Sequence, residues 1–191
     1  MDRVPDNARE TPRDFAHYAP PEIVREGLSA RVFLGTLLGS TSPVTTFTPL
    51  VGAEITLAPG SRIDLDVDPA YEHGILVDLG EVVVDTTPVP RRELAYVGIG
   101  TDVIPLSNPG DEPARIMLLG GQPFGEEILM WWNFVGRTHE EIVGYRTEWE
   151  NHSERFGQVQ GYEGPVQHLP APPLPHTRLR TRVNPPPRVD D

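Results

Sequence analysis

Between Leu28 and Leu119 the chain runs as short apolar stretches cut by turn-forming residues. That punctuation constrains the fold more than any other feature. Arg62–Val67 shows the rule: Ile63, Leu65 and Val67 point one way, Arg62, Asp64 and Asp66 the other, as on a half-buried strand. Strands are expected at Ala30–Leu34, Thr45–Thr48 and Ala53–Leu57, the last closed by Pro59-Gly60. Ile75–Leu79 and Glu81–Asp85 follow, separated by Gly80, a hairpin or bulge signal. Leu94–Val97, Val103–Leu106 and Ile116–Leu119 complete the set, with Asn108-Pro109-Gly110-Asp111 as the turn before the last. About nine short strands at this spacing predict a sandwich or barrel.

A different pattern begins at Leu118. LLGG leads through Gln122-Pro123 into the aromatic run Trp131, Trp132, Phe134, and then into a helix. Thr138 with Glu141 spells a capping box, and Ile142, Tyr145, Trp149 and Phe156 fall near one helical face. Gly157 is the expected stop. On a strand, Trp131 and Trp132 would face opposite sides. Residues 1–27, broken by Pro5, Pro12, Pro20 and Pro21, predict an extended arm pinned by Phe15 and Tyr18. Leu169–Pro175 favours polyproline II, and the Arg/Pro-rich end is expected to stay mobile or lie along a neighbour.

Composition removes several kinds of chemistry. The chain has no Cys, so thiol nucleophiles and thiolate metal sites are excluded, and only 6 His could supply imidazole ligands. All 16 basic residues are Arg, which excludes a Schiff-base or P-loop lysine. A net charge of −12 disfavours direct nucleic-acid binding, although residues 171–191 hold 4 Arg against 2 Asp. No apolar run approaches the ~20 residues of a membrane span, and Met1–Glu10 has no signal-peptide core. A cytoplasmic protein is expected.

Other spellings fail their own tests. His139-Glu140-Glu141 would need a second His where Val143 stands. Gly98-Ile99-Gly100 lacks the third glycine of a dinucleotide loop. Asp66, Asp68, Asp78 and Asp85 could pair as carboxylates for acid-base work, or simply solvate strand edges.

Four segments carry a family resemblance: SPVTTFTPLVGAEITLAPG (Ser42–Gly60), EHGILVDLGEVVV (Glu72–Val84), LLGG (Leu118–Gly121) and WWNFVGRTHEEI (Trp131–Ile142). Over Ser29–Phe156 the chain resembles the C-terminal half of pirin-family proteins, and GYEGPVQHLPAPPLP looks like the ends of some bacterial members. The resemblance implies an all-β, cupin-type jelly-roll barrel with one C-terminal α-helix and extended termini. It divides the chain into an arm over 1–27, a barrel plus helix over 28–158, and a Pro/Arg-rich tail over 159–191.

Pirins are normally two cupin barrels in one chain, the first carrying iron on His and Glu ligands. The resemblance therefore implies a chain that starts at the linker into the second barrel. Aligning Gly80 with the glycine after the cupin Glu strand puts His73 at the Glu position, Asp66–Pro69 at the His-x-His positions and Ile104 at the last His. No cofactor is expected in this chain; iron enters only if it pairs with a metal-bearing half. Glu72 and His73, with Asp68 beside them, are the candidate catalytic residues, and a rim His making one hydrogen bond is the structural alternative. Three functions follow from the resemblance: a metal-free, non-catalytic module that docks on a second cupin barrel or forms a homodimer; a quercetin 2,3-dioxygenase-like oxidoreductase acting on a small aromatic ligand; and a regulator that binds a transcription-related protein.

Overall fold

Residues whose apolar side chains alternate form the strands of this protein, because a sheet with one buried face sorts side chains with a period of two. The computed structural model describes residues 17–157 and 160–182. These divide into two compact units, one ending at Pro123 and the other beginning at Phe124. The boundary falls inside the span expected as barrel plus helix.

The first unit holds twelve strands: β1 (Ile23–Arg25), β2 (Leu28–Leu34), β3 (Thr36–Leu37), β4 (Ser40–Thr41), β5 (Leu50–Leu57), β6 (Arg62–Asp66), β7 (Glu72–Leu79), β8 (Val82–Val84), β9 (Thr87–Val89), β10 (Leu94–Val97), β11 (Val103–Ser107) and β12 (Ala114–Gly121). A six-stranded antiparallel sheet runs β1-β2-β5-β12-β7-β10, and a four-stranded sheet runs β6-β11-β8-β9. Ile55, Leu57, Ile75 and Leu118 from the first sheet meet Leu65 and Ile104 from the second in one core. The sheets share no strand among the described residues, so this is the expected all-β cupin architecture in an open form. The arm expected over 1–27 already contributes β1; Phe15 lies outside the described residues.

Several expectations are corrected. Thr45–Thr48 forms no strand. Pro43 and Pro49 withhold donors on either side, and the local hydroxyls take over the backbone: Ser42 Oγ donates to Phe33 O (2.8 Å) and accepts from Val44 N (3.2 Å), while Thr46 Oγ1 donates to Thr48 O (2.7 Å). Gly80 makes no hairpin. At φ 77 it carries the chain from one sheet to the other, and the irregularity in the β7–β12 ladder sits just before it, opposite Arg115 and Ile116.

Two hairpins went unforeseen because their turns are built on left-handed non-glycine residues. β3 and β4 pair across Leu38 (φ 53) and Gly39 (φ 76), and β8 and β9 pair across a turn opened by Asp85 (φ 53). Pro105 is tolerated inside β11 because β8 pairs only at Leu106 and Ser107; beyond them the Pro105 carbonyl accepts from Asp85 N at 2.8 Å.

The second unit has β13 (Leu129–Trp131), β14 (Phe134–Gly136) and α1 (His139–Glu150). Trp132 is not a strand residue; it sits at φ 51 in the turn, so the opposite-faces expectation for Trp131 and Trp132 fails. Thr138 caps α1 as expected, accepting from Glu141 N at 3.1 Å. The Glu141 carboxylate closes the box one residue early, on Arg137 N at 2.6 Å. The helix stops at Glu150 with Asn151 as its C-cap, not at Gly157, because His152 takes the left-handed position (φ 52) first.

The tail packs rather than wanders. Ala171 is buried beside Ile142, Phe134 and Leu129, Trp149 Nε1 donates to Leu169 O (2.8 Å), and Arg182 N donates to Ile128 O (2.7 Å). The end of the Arg/Pro-rich segment, from 183, lies outside the described residues. No described helix is long and apolar enough to cross a membrane.

Candidate functional site

Strand alternation places His73 and Glu72 on opposite faces of β7. His73 points into the first unit and is 1 % exposed. Glu72 points out and accepts from the Tyr96 hydroxyl at 2.9 Å, a bond that raises the phenol above its usual range. The two residues expected to act together therefore share no site. Asp68 does join His73: its Oδ1 accepts from Ala70 N (2.9 Å) and its carbonyl from Tyr71 N (3.0 Å), a tight turn that carries the carboxylate and the Tyr71 ring to the same place.

The place is a cleft of about 230 Å³. Its lining includes Thr36, Leu37 and Leu38, then Asp66, Val67, Asp68 and Tyr71, with Val51 and His73 flanking Gly120 in one row of the six-stranded sheet. The His73 and Tyr71 rings lie 6.2 Å apart. His73 Nδ1 is buried and has no hydrogen-bond partner. Burial lowers the pKa of His73, and the Asp68 carboxylate only partly opposes this, so the ring is held neutral. Burial and Asp68 both raise Tyr71, keeping its hydroxyl protonated. A neutral imidazole can accept a hydrogen bond or a proton, but Nδ1 is closed to solvent.

Gly120 explains the orientation of the ring. It pairs with His73 across the β7–β12 ladder, and a Cβ there would stand 2.8 Å from His73 Cδ2. The Cδ2 edge thus rests against β12 and the Nδ1 edge turns away from it. Leu38, a bulky residue at φ 53, stores some backbone strain at the rim; its carbonyl accepts from Arg25 at 2.6 Å. Thr36, Leu37 and Leu38 were missed from sequence, since their hairpin leaves no strong turn signature. The Leu38-Gly39 pair was the one available hint.

The cleft does not match the iron set implied by the resemblance. That set needs several imidazoles, and the cleft supplies one; among the described residues no three His, Asp or Glu side chains gather as metal ligands. The other carboxylate candidates lie apart, with Asp78 paired to Arg115 on the outer face.

His73→Leu is expected to stabilise the fold by about 1 kcal/mol, because it removes an unsatisfied buried nitrogen. It should also flatten the response to acid. With the folded pKa below 6.5, the unfolded chain takes up a proton first as pH falls through that value, so stability drops until the folded ring also titrates. Urea denaturation at several pH values between about 7 and 5 should show this loss in the parent and not in His73→Leu.

Comparison with known proteins bears on the same region. The family model described as the Pirin C-terminal cupin domain matches residues 52–157. A Pseudomonas aeruginosa protein named as a candidate quercetin 2,3-dioxygenase is 38 % identical over 90 % of this chain and 54 % of its own length. An Arabidopsis thaliana pirin-like protein is 28 % identical over 74 % of the chain and 48 % of its own length. A crystal structure of a quercetin 2,3-dioxygenase from Acinetobacter baumannii superposes with a TM-score of 0.83 at 32 % identity, covering 93 % of this chain and 58 % of that one. The chain spans about half the length of the curated relatives it matches.

Proposed function

This chain belongs to the pirin family of the cupin superfamily, and we propose that it serves as a cupin module without a metal of its own, docking by its outer sheet face on a second cupin barrel. The observation that carries this reading is the donor set of the cleft, one imidazole beside two aspartates and a tyrosine, which suits hydrogen bonding better than iron coordination.

The outer face of the six-stranded sheet supports the docking half. Tyr96 stands opposite Gly74, which stands opposite Leu119; Leu94 stands opposite Leu76, which stands opposite Met117. Leu94, Tyr96 and Leu119 are largely exposed. A contiguous apolar face of this kind marks an interaction surface. The relatives run to about twice the matched length, which is room for a second barrel.

A second reading, a quercetin 2,3-dioxygenase-like enzyme, is favoured by the names of two relatives and needs a metal site the cleft residues do not offer. Elemental analysis after loading with Fe(II), Mn(II) and Ni(II), with quercetin turnover measured on the same samples, separates the two. The module reading expects substoichiometric metal and no turnover. One equivalent of metal that disappears in His73→Ala, together with quercetin oxygenation, would replace it with the enzyme reading. For the docking surface, sedimentation of the chain with a separately produced metal-bearing pirin barrel should show a complex that Leu119→Asp weakens. A complex indifferent to Leu119→Asp places the interface elsewhere, and self-association lost in that variant makes the partner a second copy.

A further inference from the structure

We infer that β10 is the strand by which two copies of this chain pair edge to edge, joining their six-stranded sheets into one. The pairing uses main-chain groups at a sheet border and is independent of docking by the outer face. Four strands border the two large sheets: β1, β10, β6 and β9. A border strand offers unpaired N–H and C=O groups to any other strand, so proteins usually blunt it. β9 contains Pro88 and is followed by Pro90, and β6 alternates Arg62, Asp64 and Asp66. β1 is three residues long, follows Pro20-Pro21 and ends in Arg25. β10, Leu94-Ala95-Tyr96-Val97, has no proline, no glycine and no charge.

Register identifies the free groups. Val77 exchanges bonds with the approach to β10, its N–H donating to Glu93 O at 3.0 Å and its carbonyl accepting from Arg92 N at 2.7 Å. Alternate residues of β7 face β10, so Ile75 and His73 hold Ala95 and Val97. Leu94 and Tyr96 therefore turn their N–H and C=O groups away from β7. That spacing is self-complementary. Antiparallel pairing about a two-fold axis at Ala95 sets Leu94 of each copy against Tyr96 of the other, each residue giving and taking a hydrogen bond. Their side chains, largely exposed in the single chain, then meet on one face.

Charge favours a second copy as the occupant. In this register Glu93 falls beside Val97 and Arg92 beside Gly98, so no like charges stand opposite. One step past the last β7–β10 pair, Gly98 is level with Glu72, whose carboxylate lies on the outer face. Arg92 of each copy is thus brought toward Glu72 of the other across a glycine, and the symmetry makes that meeting twice.

Sedimentation equilibrium is expected to show a monomer–dimer equilibrium with a midpoint of about 100 μM, since a short ladder makes a weak interface. Amide hydrogen exchange should show Leu94 and Tyr96 protected at least about threefold more in concentrated than in dilute samples, with Ala95 and Val97 slow throughout. Tyr96→Pro removes an outward donor that a border strand can spare, so it should fold and abolish the dimer. Leu94→Lys, which places an ordinary edge residue there, should weaken the dimer at least about tenfold. Leu119→Asp, on the outer face and off the edge, should leave it unchanged. A chain still monomeric at about 1 mM, a dimer untouched by both edge variants, or Leu94 and Tyr96 amides indifferent to concentration would each overturn the inference. A dimer that Leu119→Asp abolishes and the edge variants spare would overturn it too, while leaving docking by the outer face intact.

Discussion

Asn108→Asp is expected to destabilise the first unit by about 4 kcal/mol at neutral pH, although it changes one atom. Asn108 is 2 % exposed. Its Nδ2 faces three carbonyls, Leu57 O at 3.3 Å, Ala58 O at 3.2 Å and Glu112 O at 2.8 Å, and its Oδ1 accepts from Gly110 N at 3.0 Å. Its own backbone donates to Ser61 O at 3.0 Å. The side chain thus fastens the end of β5 to the turn that leads into β12. Aspartate keeps the shape, loses both donors and aims a carboxylate at three carbonyl dipoles. Its folded pKa would be raised, so the penalty is smallest in acid, where the carboxyl is protonated, and grows as pH rises through that value. Asn108→Ala should cost about 2–3 kcal/mol with no such pH dependence. Denaturant titrations of both variants across pH distinguish a lost hydrogen-bond hub from simple cavity formation.

Gly120→Ala is expected to cost about 3 kcal/mol and to move the His73 ring. The added carbon would stand 2.7 Å from Glu72 O, 2.8 Å from His73 Cδ2 and 3.1 Å from Val51 Cγ1. A flexible side chain could yield, but Glu72 O belongs to the β7–β12 ladder, so the strand itself must shift. Gly121→Ala is the control. Its Cβ would meet Pro49 O at 2.6 Å and Leu50 Cδ2 at 2.7 Å, so it should also destabilise, yet it does not touch His73. His73 side-chain resonances displaced by Gly120→Ala and left in place by Gly121→Ala would confirm that Gly120 is a positioning residue. Equal displacement by both would reduce Gly120 to ordinary strand packing.

The contrast between these glycines and the missed hairpins shows what could be read from the chain alone. Short apolar runs and their periodicity found β6, β8, β10, most of β2, β5, β7 and β11, and half of β12, because burial on one face imposes it residue by residue. They could not find the β3–β4 hairpin, the turn from β8 into β9, or the β13–β14 turn, whose reversals rest on Leu38, Asp85 and Trp132 in a conformation usually left to glycine. The site suffered accordingly. His73 and Asp68 were legible as polar residues at the end of a strand and in a turn. Glu72 was wrongly joined to His73 by adjacency, although neighbours on a strand point apart. The apolar wall comes from the unseen Thr36–Leu38 hairpin, distant in sequence and brought in only by tertiary structure. Gly120-Gly121-Gln122-Pro123 reads from sequence as a turn, whereas the two glycines lie inside β12, where they allow close approach of backbone within the ladder.

The three tryptophans, Trp131, Trp132 and Trp149, all belong to the unit that begins at Phe124, where they pack on Phe134 and Phe156. Tryptophan emission of this protein, excited selectively so that Tyr71 and Tyr96 stay silent, is therefore a signal from one unit alone, dark to the sheets around His73 and Asn108. An Asn108→Asp midpoint measured at the tryptophan wavelength would shift only if the two units melt as one cooperative species. If the far-ultraviolet circular dichroism of the sheets moves while the emission midpoint stays, the second unit holds its structure on its own, and the natural chromophores will have measured the coupling without any label.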